Sequence, residues 1–528
     1  MELNKMNVHG NCVKDQVELQ VTLDDDFNVP DVKPDIERII RDHGQVRVKS
    51  VRVNGEKAEL AGILEFSMLY DGGEPIVMRG TMEFNETVNL EHAGGNEKLV
   101  CRAEIEDLSV RAIHSRKVSV KAIVALHITT EIIQDENVPV GCNGPQNIQM
   151  RQSERNIAEI MVNAVDNFRI KESFDLPAGK PNVQELLWQD VDICAFDAQM
   201  GEDGLLVRGE LVVFVLYRGE GDEGLMWHTM RGSFSGTVDI SGSNPDMISY
   251  VRQQVAGCLV EVKPDFDGEN RSIAVELELE LDIRGYEEKK IQIMDDCYLP
   301  SGALSLTKHP VSLQHLLMRN NAKCRVNDRI AASENEQILQ ICNCTGKVRL
   351  DDITPVSEES GVQGLMASGV LFVNVLYTTA GVEVPIGTLR GNIPFQHLVE
   401  LKGIGNTAPA NTWGEHIQYE MMVTPEQLTA TLTGGSEIEI KGTIGLDTIC
   451  FERLQEEVID DICEEEMDRS AFLAMPGMTG YVVQKNDTLW DIAKVHRTTM
   501  ESIRAQNKLT SDNVNAGDRL VLVKCPLQ

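Results

Sequence analysis

The residues of this 528-residue sequence that could do chemistry are concentrated in its last stretch, Gly480 to Lys524. Asp487 and Thr488 precede a helical pattern there, and a short polar side chain at such a position accepts from free backbone N–H groups. Thr499 precedes a second helical pattern, and Asn515–Asp518 is typical of a turn before a closing strand. No other segment points as clearly to a binding activity.

This β-α-α-β unit resembles the LysM domain, a carbohydrate-binding module that usually recognises N-acetylglucosamine polymers such as peptidoglycan and chitin. The resemblance is carried by the strand from Tyr481, the DTLWDIA sequence, the Asn507-Lys508-Leu509 step and the Gly517 turn. Asn486 replaces the usual glycine of the family, but asparagine tolerates positive φ, so we expect the turn to persist. The resemblance implies a groove formed by two loops: Asn486, Asp487, Thr488, Leu489 and Trp490 before the first helix, and Lys508, Leu509, Thr510 and Asn513 after the second.

Two of these groove positions differ in their expected environment. The spacing of Leu489 from Ile492 and Ala493 is also that of a core residue. Trp490 points away from that apolar stripe, and exposed tryptophan is a favoured interface residue. We therefore predict that Trp490 lies at the surface and contacts a partner.

The remainder of the sequence contains no persuasive catalytic constellation, so we predict a protein that is not an enzyme and uses no cofactor or metal. We find no phosphate-binding glycine loop, no paired histidines with a glutamate on a helix, and no nucleophile elbow. Cys342 and Cys344 are too close for the usual zinc spacing and have no second pair, which favours a structural role on a strand. Asp265 to Gly268 lacks the downstream glutamate of a calcium loop and is predicted to be a hairpin turn.

Composition and charge restrict the class of partner. The formal net charge is −34, and the chain from Thr479 onward holds seven Lys/Arg and five Asp/Glu, so the rest carries about −36. Such a body is a poor ligand for nucleic acid or anionic lipid. The sequence begins without a signal-peptide core, and no run is long enough to span a bilayer. Because the twelve cysteines are scattered, we expect a reducing, cytoplasmic environment.

The body of the chain repeats itself three times. The first two copies begin with FNVPDVKPDIERII from Phe27 and FDLPAGKPNVQELL from Phe174, whereas the third reads IAASENEQILQI from Ile330 and has lost the Lys-Pro element. Each copy continues with a segment that starts at glycine and ends in Leu-Tyr, at Tyr70, Tyr217 and Tyr377. An Arg-Gly pair then follows in each copy: Arg79-Gly80, Arg231-Gly232 and Arg390-Gly391. Such agreement in order and spacing indicates internal duplication.

The repeats are predicted to consist mainly of strands. Apolar and polar residues alternate from Ile273 to Ile283, which indicates a strand with one buried face. Pro34 and Pro181 suit the first turn of a short helix. We therefore predict a mainly β fold, with three tandem β-rich repeat domains, each a sandwich or an open barrel, followed by the small β-α-α-β domain. We assign the repeated tyrosines to the core and the Arg-Gly pairs to turns, whereas Lys33 and Lys180 are candidates for a salt bridge or a partner contact.

Composition also sets the expected boundaries: the repeats at 1–150, 151–303 and 304–455, an acidic linker at 456–478 and the LysM domain at 479–525. From Glu456 to Asp468 eight of thirteen residues are acidic and none is basic. Like charges repel one another, so we predict a spacer that gives the LysM domain some independence. A helix with Val458, Ile459 and Ile462 facing inward is the alternative.

The threefold body followed by a LysM domain resembles the SPOCS-domain proteins of endospore-forming bacteria, coat morphogenetic proteins of the SipL and SpoVID kind. The repeated F-x-[V/L]-P-x-x-K-P elements, the Leu-Tyr strands and DTLWDIA carry this resemblance. It implies a non-enzymatic scaffold in the mother-cell cytoplasm. There it would bind the basement-layer coat ATPase, stage IV sporulation protein A, at the forespore surface and help to assemble the spore coat.

The ligand of the LysM domain has more than one interpretation. Without an export signal the chain does not reach peptidoglycan outside its membrane, so we expect the groove to bind protein. The alternative is a cell-wall protein that binds peptidoglycan or another N-acetylglucosamine glycan. A wall hydrolase is a third hypothesis, but the three repeats show no recognisable acid, base or metal set.

Overall fold

The computed structural model describes residues 1–91, 97–145, 147–221, 224–332, 337–358, 361–380, 385–400, 417–434 and 436–526. These residues form twenty β-strands and three short α-helices. No helix among them is both long and apolar enough to cross a membrane. The predicted mainly β fold is confirmed.

Each repeat contributes six strands, and their bounds in the three units are as follows. The first unit contains β1 (Glu2–Asn28), β2 (Arg38–Asn54), β3 (Lys57–Asp71), β4 (Pro75–Asn89), β5 (Lys98–His114) and β6 (Lys117–Asn143). The second contains β7 (Gln149–Asp175), β8 (Val183–Gly201), β9 (Gly204–Gly219), β10 (Leu225–Val238), β11 (Ile248–Pro264) and β12 (Asn270–Tyr298). The third contains β13 (Ala303–Ala331), β14 (Ile338–Glu358), β15 (Gly361–Thr379), β16 (Ile386–Glu400), β17 (Ile417–Gly434) and β18 (Glu437–Glu465).

Within each unit the strands pair antiparallel in two three-stranded sheets. In the first unit their orders are β1-β6-β5 and β2-β3-β4, and the other two units repeat this arrangement. The first core takes buried side chains from all six strands, and so do the second and third. Since each core lies between two sheets, the repeats are sandwiches rather than open barrels. The repeated tyrosines lie in these cores, as predicted.

The repeated glycines are explained by aromatic side chains that cross them. A Cβ on Gly62 would lie 2.2 Å from the ring of Phe84, and Gly209 and Gly369 face phenylalanines in the same way. The prediction that the Arg-Gly pairs form turns is wrong, because they lie within β4, β10 and β16. A Cβ on Gly80 would lie 2.5 Å from the ring of Phe66 and 3.2 Å from that of Phe27, so glycine is needed there for close packing.

The Lys-Pro elements form turns, and the predicted short helix is absent from the described residues. The backbone N–H of Lys33 donates to the carbonyl of Pro30 at 2.9 Å, and Lys180 repeats this bond. The residue before a proline disfavours the α region, which opposes a helix at Lys33. One arginine fixes the turn, since the Arg116 guanidinium donates to the carbonyls of Val29, Pro30 and Lys33. In the third copy, residues 333–336 lie outside the described residues.

The three units close into a ring around a pseudo-threefold axis. Strand β4 contacts β8, β10 contacts β14, and β16 contacts β2, so each unit contacts the next in the same way. A shared apolar core lies on the axis and contains the residue before each repeated tyrosine: Leu69, Leu216 and Leu376. Beside it, Arg41 of the first unit contacts Asp190 of the second at 3.0 Å and Thr345 of the third at 2.9 Å.

The longest strands extend beyond the sandwiches and form a stalk. Strands β1, β6, β7, β12, β13 and β18 have 27 to 29 residues, or about 90 Å each at 3.3 Å per residue. Their ends converge on a second three-way core that contains Val8, Ile291 and Val458. Arg284 of the second unit also joins all three units, because it pairs with Glu131 of the first at 2.7 Å and Glu420 of the third at 2.6 Å.

The acidic linker was predicted to begin at Glu456, and this prediction is wrong for its first ten residues. They form the end of β18, paired antiparallel with the start of β13. Val458, Ile459 and Ile462 are buried in the stalk, whereas the carboxylates between them face solvent or a cation such as Lys5, 2.9 Å from Asp460. Burial of these apolar residues outweighs the repulsion among the exposed charges.

The C-terminal unit begins with helix α1 (Arg469–Ala474). It continues with β19 (Met478–Val482), α2 (Leu489–Val495), α3 (Met500–Asn507) and β20 (Arg519–Val523). Strands β19 and β20 pair antiparallel, which gives the predicted β-α-α-β order. Lys524 joins α1 to this unit, since its ammonium donates to the carbonyls of Phe472 and Met475 at 2.8 Å.

Candidate functional site

Helix α2 begins with a side-chain cap, as the sequence predicts. The Thr488 hydroxyl oxygen accepts from the backbone N–H of Asp491 at 3.1 Å, and the hydroxyl donates to the Asp491 carboxylate at 2.6 Å. Thr499 caps α3 in the same way, by accepting from the N–H of Ser502. These bonds satisfy N–H groups that have no partner within the helix, so they fix the loops at the helix ends.

Asp487 stabilises the loop before α2 rather than projecting freely into solvent. Its carboxylate accepts from the Tyr481 hydroxyl and from the backbone N–H of Gln484, both at 2.7 Å. These two donors hold the pKa of Asp487 below its usual value. The carboxylate is therefore ionised near neutral pH and positions the loop.

Two groove residues adopt left-handed backbone conformations. Asn486 has φ 74°, so asparagine replaces the usual glycine without loss of the turn. Lys508 has φ 54° and ends α3 as its C-cap. Asn507, just before it, ties α3 to β20 because its side-chain amide bonds the backbone N–H and carbonyl of Val521 at 2.7 and 2.8 Å.

The nine predicted groove positions differ in burial: five are exposed, two are half-buried and two are buried. Asp487 and Leu509 are half-buried, and five polar side chains are exposed: Asn486, Thr488, Lys508, Thr510 and Asn513. Leu489 is 2% exposed and belongs to the apolar core of the domain, the second of the two environments considered for it. The exposed set leaves polar side chains of both predicted groove loops at the surface.

The prediction that Trp490 is exposed is wrong. This side chain is only 6% exposed, because it packs against the end of β12 in the second repeat. Its ring centroid lies 4.9 Å from that of Tyr298 in an edge-on arrangement, and the Arg151 guanidinium lies 5.7 Å from its ring. Trp490 shares one buried cluster with Leu489 and Ile492, and that cluster also includes Tyr298, a residue almost two hundred positions earlier.

Asp296 is the polar centre of this interface between the C-terminal domain and the second repeat. Its carboxylate accepts from the Trp490 indole N–H at 2.8 Å and from the Lys494 ammonium at 2.7 and 2.8 Å. Burial acts to raise the pKa of Asp296, but the hydrogen bonds from Lys494 and Trp490 outweigh it and hold the pKa below its usual value.

Further contacts are made by the residues just beyond the C-terminal end of α2. The buried Tyr298 hydroxyl donates to the carbonyl of Thr498 at 2.8 Å. Arg497 donates to the carbonyls of Leu299 and Gly302 in the loop after β12. The C-terminal domain therefore docks on the body, and the independence predicted for it from the acidic linker does not hold.

Docking depends on an aspartate and a tyrosine that only the second repeat carries together, since the third repeat keeps the aspartate but not the tyrosine. Strands β6, β12 and β18 have equivalent bulges at residues 140, 295 and 460, which aligns their ends. At the positions of Asp296 and Tyr298, the first repeat has Gly141 and Asn143, and the third has Asp461 and Cys463. This departure from the repeat pattern was the sequence signal that could have revealed the interface.

The two lysines of the Lys-Pro elements contact their own repeats. The Lys33 ammonium donates to the carbonyl of Val77 in β4. The Lys180 ammonium lies 5.7 Å from the ring centroid of Trp227, within reach of a cation–π interaction. Both side chains are half-buried and lie far from the groove loops in sequence. A partner contact at either lysine stays a prediction.

The other residues considered for metal binding or catalysis have structural roles. The described residues contain no group of three or more His, Cys, Asp or Glu side chains placed to hold a metal ion. All twelve cysteines are free thiols, and burial raises the pKa of Cys342 and Cys344 to about 12. Asp265 forms a hairpin turn, since its carboxylate accepts from the N–H groups of Asp267 and Glu269.

The fold and this interface define a class of protein: three tandem β-sandwich repeats closed into a ring, with a small docked binding domain. The family model of the SipL SPOCS domain matches residues 35–113, 182–263 and 337–422, which correspond to the four middle strands of each repeat. The LysM domain model matches residues 481–523. No curated protein and no solved structure matches this chain.

The chain is a SipL/SPOCS-domain protein with three SPOCS domains and a C-terminal LysM domain. The family implies a role in spore coat morphogenesis and suggests a structural, non-catalytic protein.

Proposed function

We propose that this protein is a non-enzymatic adaptor of spore coat assembly, in which the LysM groove loops bind a protein. The partner that the family resemblance implies is the basement-layer coat ATPase, stage IV sporulation protein A. The place of action is the forespore surface, reached from the mother-cell cytoplasm. The observation that supports this proposal is the exposure of the groove loops on a LysM domain that is held against a large acidic scaffold.

The docked position of the LysM domain favours a scaffold role because it fixes the direction in which the groove loops face. Contacts from Asp296 and Tyr298 hold α2 against the second repeat, whereas Lys508, Thr510 and Asn513 in the loop after α3 stay exposed. A binding loop on a rigid support loses less conformational freedom when it engages a partner. We therefore expect the body to orient the LysM domain rather than to carry it on a flexible tether.

The test is binding of the purified coat ATPase to the purified full-length chain. We expect the wild type to bind, and the double substitution Lys508→Glu with Asn513→Ala to weaken binding by about tenfold or more, a loss of about 1.4 kcal/mol. Glu501→Ala, at an exposed position of α3, is the matched control and should bind as the wild type does. Failure of the folded wild type to bind, or equal binding by the groove variant, would overturn this assignment.

A glycan ligand is the second candidate, because the exposed groove positions carry amide, hydroxyl and ammonium groups that suit sugar hydroxyls. Sedimentation of the full chain with purified peptidoglycan tests it. Retention that is lost with Thr510→Ala and Asn513→Ala would favour the glycan. Recovery of all the protein in the supernatant, under conditions in which the ATPase binds, would exclude it.

A further inference from the structure

The side of helix α2 that docks on the second repeat has the features of a peptide-binding site. Trp490 and Lys494 are spaced i and i+4 and therefore lie on one side of the helix, and Arg497 follows just beyond its C-cap, His496. These three residues are here called the docking face. Tryptophan and arginine are the residue types that most often dominate the energy of protein interfaces. The docking face differs from the groove loops, since the residues exposed in those loops do not take part in these contacts.

The segment that occupies the docking face is short and continuous. Asp296–Gly302, here called the cis segment, begins as the end of β12 and continues into the loop that follows it. It supplies a carboxylate to Trp490 and Lys494, an aromatic ring two residues later, and then two backbone carbonyls to Arg497. A linear peptide could offer all of these groups in the same order.

Specificity for this segment follows from directional contacts rather than from apolar area alone. The Asp296 carboxylate meets two donors, an indole N–H and an ammonium, and an asparagine would keep only part of that interaction. The Tyr298 ring packs edge-on against Trp490 while its hydroxyl bonds the Thr498 carbonyl. In the docked state the docking face therefore contacts an aspartate and, two residues later, a tyrosine in an extended backbone.

The link between body and domain permits the docking face to open. Residues Glu466–Asp468 connect β18 to α1, and α1 moves with the LysM domain because Lys524 bonds its C-terminal carbonyls. Release would need rotation about these three residues without melting any strand of the body. For a domain held by so short a connection, the effective concentration of the cis segment is in the millimolar range.

We propose that the docking face is a binding site for an extended Asp-x-Tyr peptide of a protein partner, and that the cis segment is its intramolecular competitor. In the docked state the cis segment occupies the site. A partner segment of the same chemistry displaces it and thereby releases the LysM domain from the second repeat. The inference does not depend on the identity of the partner that binds the groove loops.

The test uses a fluorescent peptide with the sequence of residues 292–303, with serine in place of cysteine, and the full-length chain. We expect little binding to the wild type, because the cis segment competes. Asp296→Ala with Tyr298→Ala removes the competitor and leaves the docking face intact, so its affinity for the peptide should rise about tenfold or more. Adding Trp490→Ala to this variant should abolish the gain.

Matched controls separate this inference from other effects. Asp461→Ala with Cys463→Ala changes the equivalent positions of the third repeat and should leave peptide binding at the wild-type level. Lys508→Glu, which tests the groove, should also leave it unchanged. Release of the domain is followed independently, as faster proteolysis at Glu466–Asp468 in the Asp296/Tyr298 variant. A released and folded variant that fails to bind the peptide overturns the proposal, and so does a variant that stays docked.

Discussion

Replacing Arg284 should destabilise the whole ring, because this side chain joins the three repeats in a buried position. It is 3% exposed and pairs with Glu131 at 2.7 Å, with Glu420 at 2.6 Å and with Asp282 at 3.5 Å. Glu131 is also 3% exposed, so Arg284→Met would leave a buried carboxylate without this cation. Breaking a buried pair by removing one partner costs about 3–5 kcal/mol, and we expect a loss of unfolding free energy in that range.

The assay is urea unfolding, followed by circular dichroism and by tryptophan fluorescence. The matched control is Arg169→Met, which removes a surface pair 3.2 Å from Glu278 whose arginine side chain is 69% exposed, and should cost about 0–1 kcal/mol. A second arm adds Glu131→Gln to Arg284→Met. Because this removes the buried carboxylate that has lost its cation, the double variant should be more stable than Arg284→Met alone.

The pH dependence of the same variant gives an independent check. Burial raises the pKa of Glu131, so the folded state binds its proton more tightly than the unfolded state does. A raised carboxyl pKa destabilises the folded state as pH rises, and the Arg284→Met defect should be smaller near about pH 5 than near about pH 8. If Arg284→Met costs no more than Arg169→Met, or if its cost does not depend on pH, the reasoning about a buried charge is refuted.

Three other predictions concern the backbone, the turns and the docking interface. Gly204→Ala should cost about 3 kcal/mol in urea unfolding, because φ is 134° and a Cβ would lie 2.2 Å from the carbonyl oxygen of Val238, whereas Gly257→Ala meets no atom within 4 Å and should be neutral. Arg116→Ala should cost about 2 kcal/mol, since three backbone carbonyls lose a charged donor, and an unchanged midpoint would contradict this role. The pKa of Asp296 is lowered in the folded state, so its contribution to docking is present above its usual value of 3.8 and is lost as pH falls through the folded pKa. Proteolysis at the link before α1 should accelerate in that acid range for the wild type, and Asp296→Asn should remove the pH dependence.

Local sequence patterns predicted the structure correctly where that structure depends on neighbouring residues. The alternation from Ile273 to Ile283 predicted strand β12, and the threefold repeat predicted three related β units. In the LysM domain, Thr488 and Thr499 cap the helices as expected. Capping, strand alternation and turn formation act over a few residues, so the order of residue types along the chain determines them.

Local reasoning failed where a distant segment changed the environment of a residue. Lys-Pro suggested a helix start, but the carbonyls of that turn are held by Arg116, more than eighty positions later. The acidic run from Glu456 suggested a spacer, but the start of β13 pairs with it and buries its apolar residues. Trp490 suggested an exposed anchor, but Asp296 and Tyr298 cover it.

The sequence by itself determined the class of this protein, namely a threefold β repeat with a C-terminal LysM domain, because both are specified by short-range periodicity and by motifs. Tertiary structure alone decided how these parts are joined. Closure of the ring, burial of Arg284 between carboxylates of two other repeats, and docking of the LysM domain on the second repeat all depend on side chains more than a hundred positions apart. Such contacts form only when the folded chain brings those side chains together, and so the periodicity of neighbouring residues does not predict them.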